Sequence, residues 1–176
     1  MKRISLGFTL LKLLTTLTIV STLVSASLPG LSNLTANSRA DTVYRQLFTL
    51  IQFTRIQAVN YGSQAILCPT VDQIHCIADW NKSLMLFVDS NNNEKREASE
   101  AINRITAAIP RGERLVWQTS GSDRYLRFKS DGTTRNQNGR LTYCLEIENK
   151  TYPRQIVMYR TGRARQGSQG EAIQQC

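Results

Sequence analysis

One histidine, His75, and no C-x-x-C pair are all that this 176-residue chain offers toward a metal centre. Zinc held by cysteine and histidine needs closely spaced ligands, which the four scattered cysteines do not supply. There is no Walker loop, no nucleophile placed near a base, no internal repeat and no low-complexity block. Nothing therefore supports an enzyme, and neither a cofactor nor a metal is expected. Charge is missing too: from Phe8 to Leu28 the sole ionisable residue is Lys12.

What precedes that stretch is short and basic. Met1–Gly7 carries Lys2 and Arg3. A secretory signal peptide places its small cleavage residue after the apolar region. Here Gly7 comes before it, so cutting after Gly7 removes the charges and leaves the apolar segment on a chain beginning at Phe8. At 1.5 Å per residue, Phe8–Leu28 reaches roughly 30 Å, about the hydrocarbon thickness of a bilayer. Eight of its residues are Ser or Thr, whose hydroxyls are expected to bond back to preceding helix carbonyls. The reading is a marginal membrane span.

Formal net charge is +9 and uneven. Residues 1–102 carry 9 basic and 7 acidic side chains (+2), whereas residues 103–176 carry 13 and 6 (+7). In that second part all cations except Lys129 and Lys150 are Arg, which suits bidentate contact with phosphate or carboxylate. Cys68, Cys76, Cys144 and Cys176 all follow the apolar segment, and an even number in an exported chain favours two disulfides. Three connectivities are formally possible. Cys68–Cys76 is the natural local pair, and Cys144–Cys176 would then pin the C-terminus to a strand.

Helical periodicity continues beyond Pro29-Gly30, where a kink is expected. Val43, Leu47, Leu50, Ile51, Thr54 and Ala58 recur at three- and four-residue intervals, and Gly62 is a suitable stop. This gives one helix over about Phe8–Tyr61, with an apolar stripe on its second half. Short alternating or β-branched runs follow at Gln64–Cys68, Leu84–Val88, Arg114–Trp117, Arg124–Phe128, Thr142–Ile147 and Arg154–Tyr159. Turn-rich connections make antiparallel pairing the expectation. The fold class is α+β, a long helix packed on an antiparallel sheet. The predicted organisation is a leader at 1–7, a membrane half-helix at 8–28, an amphipathic half-helix at 29–62 and a β domain with a basic tail at 63–176.

The leader with Gly7-Phe8 resembles that of type IV prepilins and type II secretion pseudopilins. Arg55-Ile-Gln-Ala58, Cys68-Pro69, Cys76 with Trp80, and Phe87-Val-Asp89-Ser-Asn91 are similar in order to the GspH/FimT family. The resemblance implies a pilin-like fold, cleavage after Gly7 by a prepilin peptidase and methylation of Phe8. It also implies an inner-membrane precursor that joins major and minor pilins in a pilus or pseudopilus reaching from periplasm to cell surface. Gly162-Arg163-Ala-Arg165 matches the Gly-Arg-x-Arg sequence of FimT-like minor pilins that bind DNA in natural transformation. Beyond Tyr159, Gly162 is expected to relax the backbone. Arg163 and Arg165, two apart in an extended segment, then project from one side with Cα atoms about 6–7 Å apart. Arg160 and Arg154 lengthen the run. Such contacts to double-stranded DNA give affinity without sequence choice and weaken as salt rises. The alternative reading is a structural pilin or pseudopilin whose arginines meet neighbouring subunits.

Arg124, Arg127, Lys129, Arg135 and Arg140 are placed either to extend this surface or to guard sheet edges, as strand cations do. Lys12 departs from the resembled family, which usually has Glu there to neutralise a neighbouring subunit's N-terminal amine, and it is read as an assembly position. Asp89-Ser-Asn91-Asn-Asn93 begins like a calcium loop, but Glu94 stands where such loops need Gly. It is read as an Asn-rich turn. His75 is read as surface, and Trp80 and Trp117 as core anchors.

Overall fold

The structure, a computed structural model, describes residues 10–176, and the side chains of residues 25–30 lie outside the description. Gly7 and Phe8 therefore fall outside the described residues. Helix α1 runs Leu10–Tyr61, and a boundary between Asn37 and Ser38 divides the chain into two compact units.

In the first unit, Thr15, Thr16, Thr18, Ser21 and Thr22 turn their hydroxyls back onto carbonyls three or four residues earlier, at 2.8–3.1 Å. This satisfies the polar atoms of a helix whose leucines, isoleucine and valines stand exposed from Leu10 to Val24. The same hydroxyls, with Lys12, dilute its hydropathy. Among the described residues no helix is long and apolar enough to cross a membrane.

In the second unit the expected stripe is the buried face of the helix. Ala40, Leu47, Leu50, Ile51, Thr54 and Ala58 are buried and Val43 is half-buried. Thr54 fits among apolar neighbours because its hydroxyl donates to the Leu50 carbonyl at 2.8 Å. The helix ends in a paired closure. Ser63 N–H reaches the Ala58 carbonyl, Gly62 N–H reaches that of Val59, and Gly62 sits at φ +61°. Glycine adopts that conformation without steric cost, so the last carbonyls are satisfied where the chain turns.

Eight strands follow: β1 (Gln64–Thr70), β2 (Ser83–Asp89), β3 (Ile102–Ile105), β4 (Glu113–Thr119), β5 (Leu126–Phe128), β6 (Gly139–Ile147), β7 (Lys150–Met158) and β8 (Ala164–Gln166), then a short helix α2 (Gln169–Ile173). They form two antiparallel sheets, ordered β3-β2-β1-β5 and β4-β6-β7-β8. Strands β1 and β2 are buried on both faces, which is why they read as continuous apolar runs. The disulfide Cys68–Cys76 ties β1 to the loop after it. Trp80 and Trp117 are both buried, with ring centroids 5.3 Å apart.

The second sheet separates its faces cleanly. Leu115, Trp117, Leu141, Tyr143, Ile156 and Met158 form the inner face. There Arg39 of α1 pairs with Glu113, and Tyr143 donates to Glu113 at 2.7 Å. Burial together with the Glu113 carboxylate pushes the Tyr143 hydroxyl well above its ordinary range. The outer face is covered in part by the C-terminal segment. Gln155 donates to Thr142 and Gln175 at 3.0 and 3.1 Å, and Arg114 donates to the Cys176 carbonyl. The disulfide Cys144–Cys176 closes this arrangement. Ser168 caps α2 by accepting from the Glu171 amide. All six expected strands are present. β3, β8 and α2 were not expected, nor was the division into two sheets.

Candidate nucleic-acid interface

The Gly-Arg-x-Arg segment is a tight hairpin whose side chains point outward, not a loose tail. Tyr159 N–H bonds the Arg163 carbonyl at 3.0 Å and Gly162 N–H bonds the Tyr159 carbonyl at 2.8 Å. Arg160-Thr161-Gly162 is thus a three-residue loop closed by a glycine in the left-handed region, φ +75°. Strand β8 then pairs with β7, placing Arg165 opposite Val157 and Ala164 opposite Met158. Gly162 fixes the backbone where relaxation was expected.

A second turn of the same construction lies against it. Lys129 N–H bonds the Thr133 carbonyl and Gly132 N–H the Lys129 carbonyl, both at 2.8 Å, with Gly132 at φ +75°. The two glycines meet, for a Cβ on Gly162 would lie 1.9 Å from the Gly132 carbonyl oxygen. Arg55 Nε donates to that oxygen at 2.9 Å. The amide of Thr134 bonds the Arg160 carbonyl at 3.0 Å, and the Asn138 side chain accepts from the Arg160 amide at 2.8 Å. Two stretches far apart in sequence, Arg55-x-x-Ala58 and Gly162-Arg-x-Arg, are therefore one piece of packing. The first holds the platform on which the second rests.

With its backbone tied down, the turn leaves Arg160, Arg163 and Arg165 exposed, and none of the three is ion-paired among the described residues. Together with Asn138, Tyr159 and Thr161 they line an open depression of about 430 Å³. Arg165 is pre-aimed: its Nε donates to the Tyr159 hydroxyl at 2.7 Å, its guanidinium lies 5.6 Å from the Tyr159 ring centroid, and Nη1 donates to the Gln166 carbonyl at 2.9 Å. A guanidinium has five N–H donors, so three remain for a ligand.

Arg154 does not join them. Alternation along β7 puts it on the inner face with Ile156 and Met158, where it is 8% exposed. Its Nε donates to Asp41 of α1 at 2.7 Å and Nη1 to the Pro153 carbonyl at 2.9 Å. That hydrogen bond holds the Asp41 carboxyl below its ordinary range. Arg154 is a link between helix and sheet, a correction to the sequence reading. Arg127 is likewise buried and pairs with Glu94. Tyr159, Asn138 and Arg55 were missed as contributors, although Tyr159 stands directly before Arg160 in the chain.

No group of three or more His, Cys, Asp or Glu side chains suited to a metal ion occurs among the described residues. In the Asn-rich loop the buried Asp89 carboxylate accepts from Gln64 and from the amides of Asn93 and Glu94, while Glu100 accepts from the amides of Ser90 and Glu97. Its carboxylates are occupied in closing the loop. Glu94 takes the φ of +65° that a calcium loop gives to glycine.

The model of the family described as Type II transport protein GspH matches residues 44–162. The chain belongs to the GspH family. A comparison with curated proteins finds no match. Among solved structures, this GspH-family chain is similar to the type IV minor pilin FimU of Pseudomonas aeruginosa, at 18% identity and a TM-score of 0.56, over 74% of this chain and 90% of that one. It is also similar to the minor pseudopilin EpsH of the Vibrio cholerae type 2 secretion system, at 12% identity and a TM-score of 0.53, over 74% and 98%. Those likenesses show a shared fold. The family model thus covers Tyr44 to Gly162 of a chain that shares its fold with a minor pilin and a minor pseudopilin.

Proposed function

We propose that this minor pilin binds DNA without sequence preference through Arg160, Arg163 and Arg165, as the capture element of DNA uptake in natural transformation. The supporting observation is the state of those three arginines: exposed, without a carboxylate partner among the described residues, and grouped on a hairpin whose backbone is fixed from both sides. Phosphate oxygens would be met by guanidinium N–H groups, an interaction that positions a strand but reads no bases. In this reading the chain is made as an inner-membrane precursor anchored by residues 8–28, cut after Gly7 by a prepilin peptidase and methylated at Phe8. It then enters a pilus with major and minor pilins, carrying the tip outside the cell.

The test uses the full chain in detergent micelles. Labelled duplex DNA should be shifted in a gel, with affinity falling about tenfold or more between roughly 50 and 200 mM salt. Arg163→Ala with Arg165→Ala should remove most of the shift while leaving the melting temperature in place. Equal binding by that variant would instead favour a purely structural role, as the similarity to the EpsH pseudopilin suggests.

A further inference from the structure

From sequence Arg140 could either extend the basic surface or guard a sheet edge, yet β6 lies between β4 and β7 and has no free edge. A cation in the middle of a sheet needs another reason to be exposed. The pairing registers supply the geometry. Gln118 of β4 is opposite Arg140 of β6, Arg140 is opposite Val157 of β7, and Val157 is opposite Arg165 of β8. Register partners on neighbouring strands point to the same face, so these four residues form a row across the outer face of the sheet. At about 4.8 Å per strand, the Arg140 and Arg165 Cα atoms lie about 10 Å apart.

The next row, Thr142 with Gln155, is covered by the Gln175 side chain. The row of Arg140 is not. A second open depression, of about 540 Å³, runs beside it and is lined in part by Ser120, Asn138, Arg140, Tyr159 and Arg165. It shares Asn138, Tyr159 and Arg165 with the depression at the hairpin tip, so the two adjoin and together form a groove. Glu171 approaches Arg140 only at 4.0 Å, and both side chains are about half exposed (48% and 47%). A pair so open to water contributes little.

Resting on the DNA reading above, we propose that Arg140 is a further phosphate-binding position, and that the nucleic-acid backbone runs from the β7–β8 tip across the outer face of the second sheet. Hydroxyl and amide groups of Ser120, Asn138 and Gln118 edge its path. Charge complementarity selects a polyanion for this groove: its cations are guanidinium groups on a rigid sheet, and its remaining polar donors are neutral.

The salt dependence of binding counts the contacts. Each phosphate neutralised on duplex DNA contributes about 0.9 to the slope of log K against log salt. With the full chain in micelles, Arg140→Ala should lower that slope by about 0.9 and weaken binding severalfold at fixed salt, whereas Arg140→Lys should keep the slope. Arg111→Ala removes the same charge at the opposite end of β4 and should leave the slope unchanged. Glu171→Gln separates a role in DNA binding from a role in holding α2, and it should not weaken binding. If Arg140→Ala behaves like Arg111→Ala while Arg163→Ala with Arg165→Ala still abolishes binding, the extended path is wrong and the tip reading stands. Loss of binding on Glu171→Gln to the same degree as on Arg140→Ala also overturns the path. If the unmodified chain shifts no DNA, both readings fall.

Discussion

Adding one methyl group at Gly162 would set a Cβ 1.9 Å from the Gly132 carbonyl oxygen, at a φ of +75°. Gly62 offers the control, since its φ is +61° but nothing lies within 4 Å of an added Cβ. Left-handed backbone alone costs a non-glycine residue about 1–3 kcal/mol. Gly62→Ala should therefore cost about that much, and Gly162→Ala distinctly more, because two turns must separate as well. Urea unfolding of both variants gives the comparison, and equal midpoints would show that the contact between the glycines is not restrictive. Arg154 invites the opposite experiment. Arg154→Ala should lower stability by about 1–3 kcal/mol, for it leaves a buried site without its hydrogen bonds, and should leave DNA binding unchanged. The pH dependence has a defined sign. Asp41 has a depressed pKa in the folded chain, so the unfolded chain takes up the proton at higher pH. The contribution of this pair is complete above the ordinary carboxylate range and lost as pH falls through the depressed value. In Arg154→Ala that part of the acid sensitivity should disappear, which unfolding midpoints on either side of the carboxylate range would reveal.

Among the elements, the two disulfides close loops of different length, with sequence separations of 8 and 32. If constraint of the unfolded chain dominates, removing Cys144–Cys176 costs about 3–4 kcal/mol and removing Cys68–Cys76 about 1 kcal/mol less. Paired Cys→Ala variants measured in urea check the order, and a reversed order would show that packing around Cys68 outweighs chain entropy. The longer bridge also holds the C-terminal segment over the outer face of β6 and β7; from sequence it is one of three formal connectivities, the one that pins the C-terminus to a strand. The helical stripe from Val43 to Ala58 and the six main strands were legible for the same reason, since hydrophobic period reports which face is buried. Strand β8 was not. Ala-Arg-Gln has no apolar alternation, and it is a strand only because the turn at Gly162 returns it alongside β7. Helix α2 left a trace in Ser168-x-x-Glu171, a capping pattern, but five residues give no period to read. Arg163 and Arg165 stand exposed as the sequence led one to expect, whereas Arg154 is buried on the inner face. Its exposure depends on which face of β7 meets α1, and a strand buried on both faces from Pro153 to Met158 carries no polar alternation to mark it.

At the scale of the whole chain, charge and hydropathy are segregated along the sequence. Residues 103–176 hold +7 of the formal +9, a field that attracts polyanions and is screened within about 10 Å at 0.1 M salt. The apolar end carries one cation, Lys12, on a helix face exposed along its length. If the chain is cut after Gly7 and joins a filament as proposed, the freed amine of Phe8 would approach position 12 of a neighbour. Two like charges about 4 Å apart repel by roughly 4 kcal/mol at an effective dielectric constant of 20. Glutamate at the same place would reverse the sign. Lys12→Glu should thus raise the amount of this protein recovered in sheared filaments, at unchanged abundance in the membrane fraction. On the proposed DNA-binding reading, a lysine that lowers incorporation would suit a subunit needed in few copies, because a basic tip repeated along the fibre would add like-charged surfaces that repel one another. Unchanged recovery of Lys12→Glu would mean that the amine does not meet position 12 in an assembled filament, and that this lysine does not limit polymerisation.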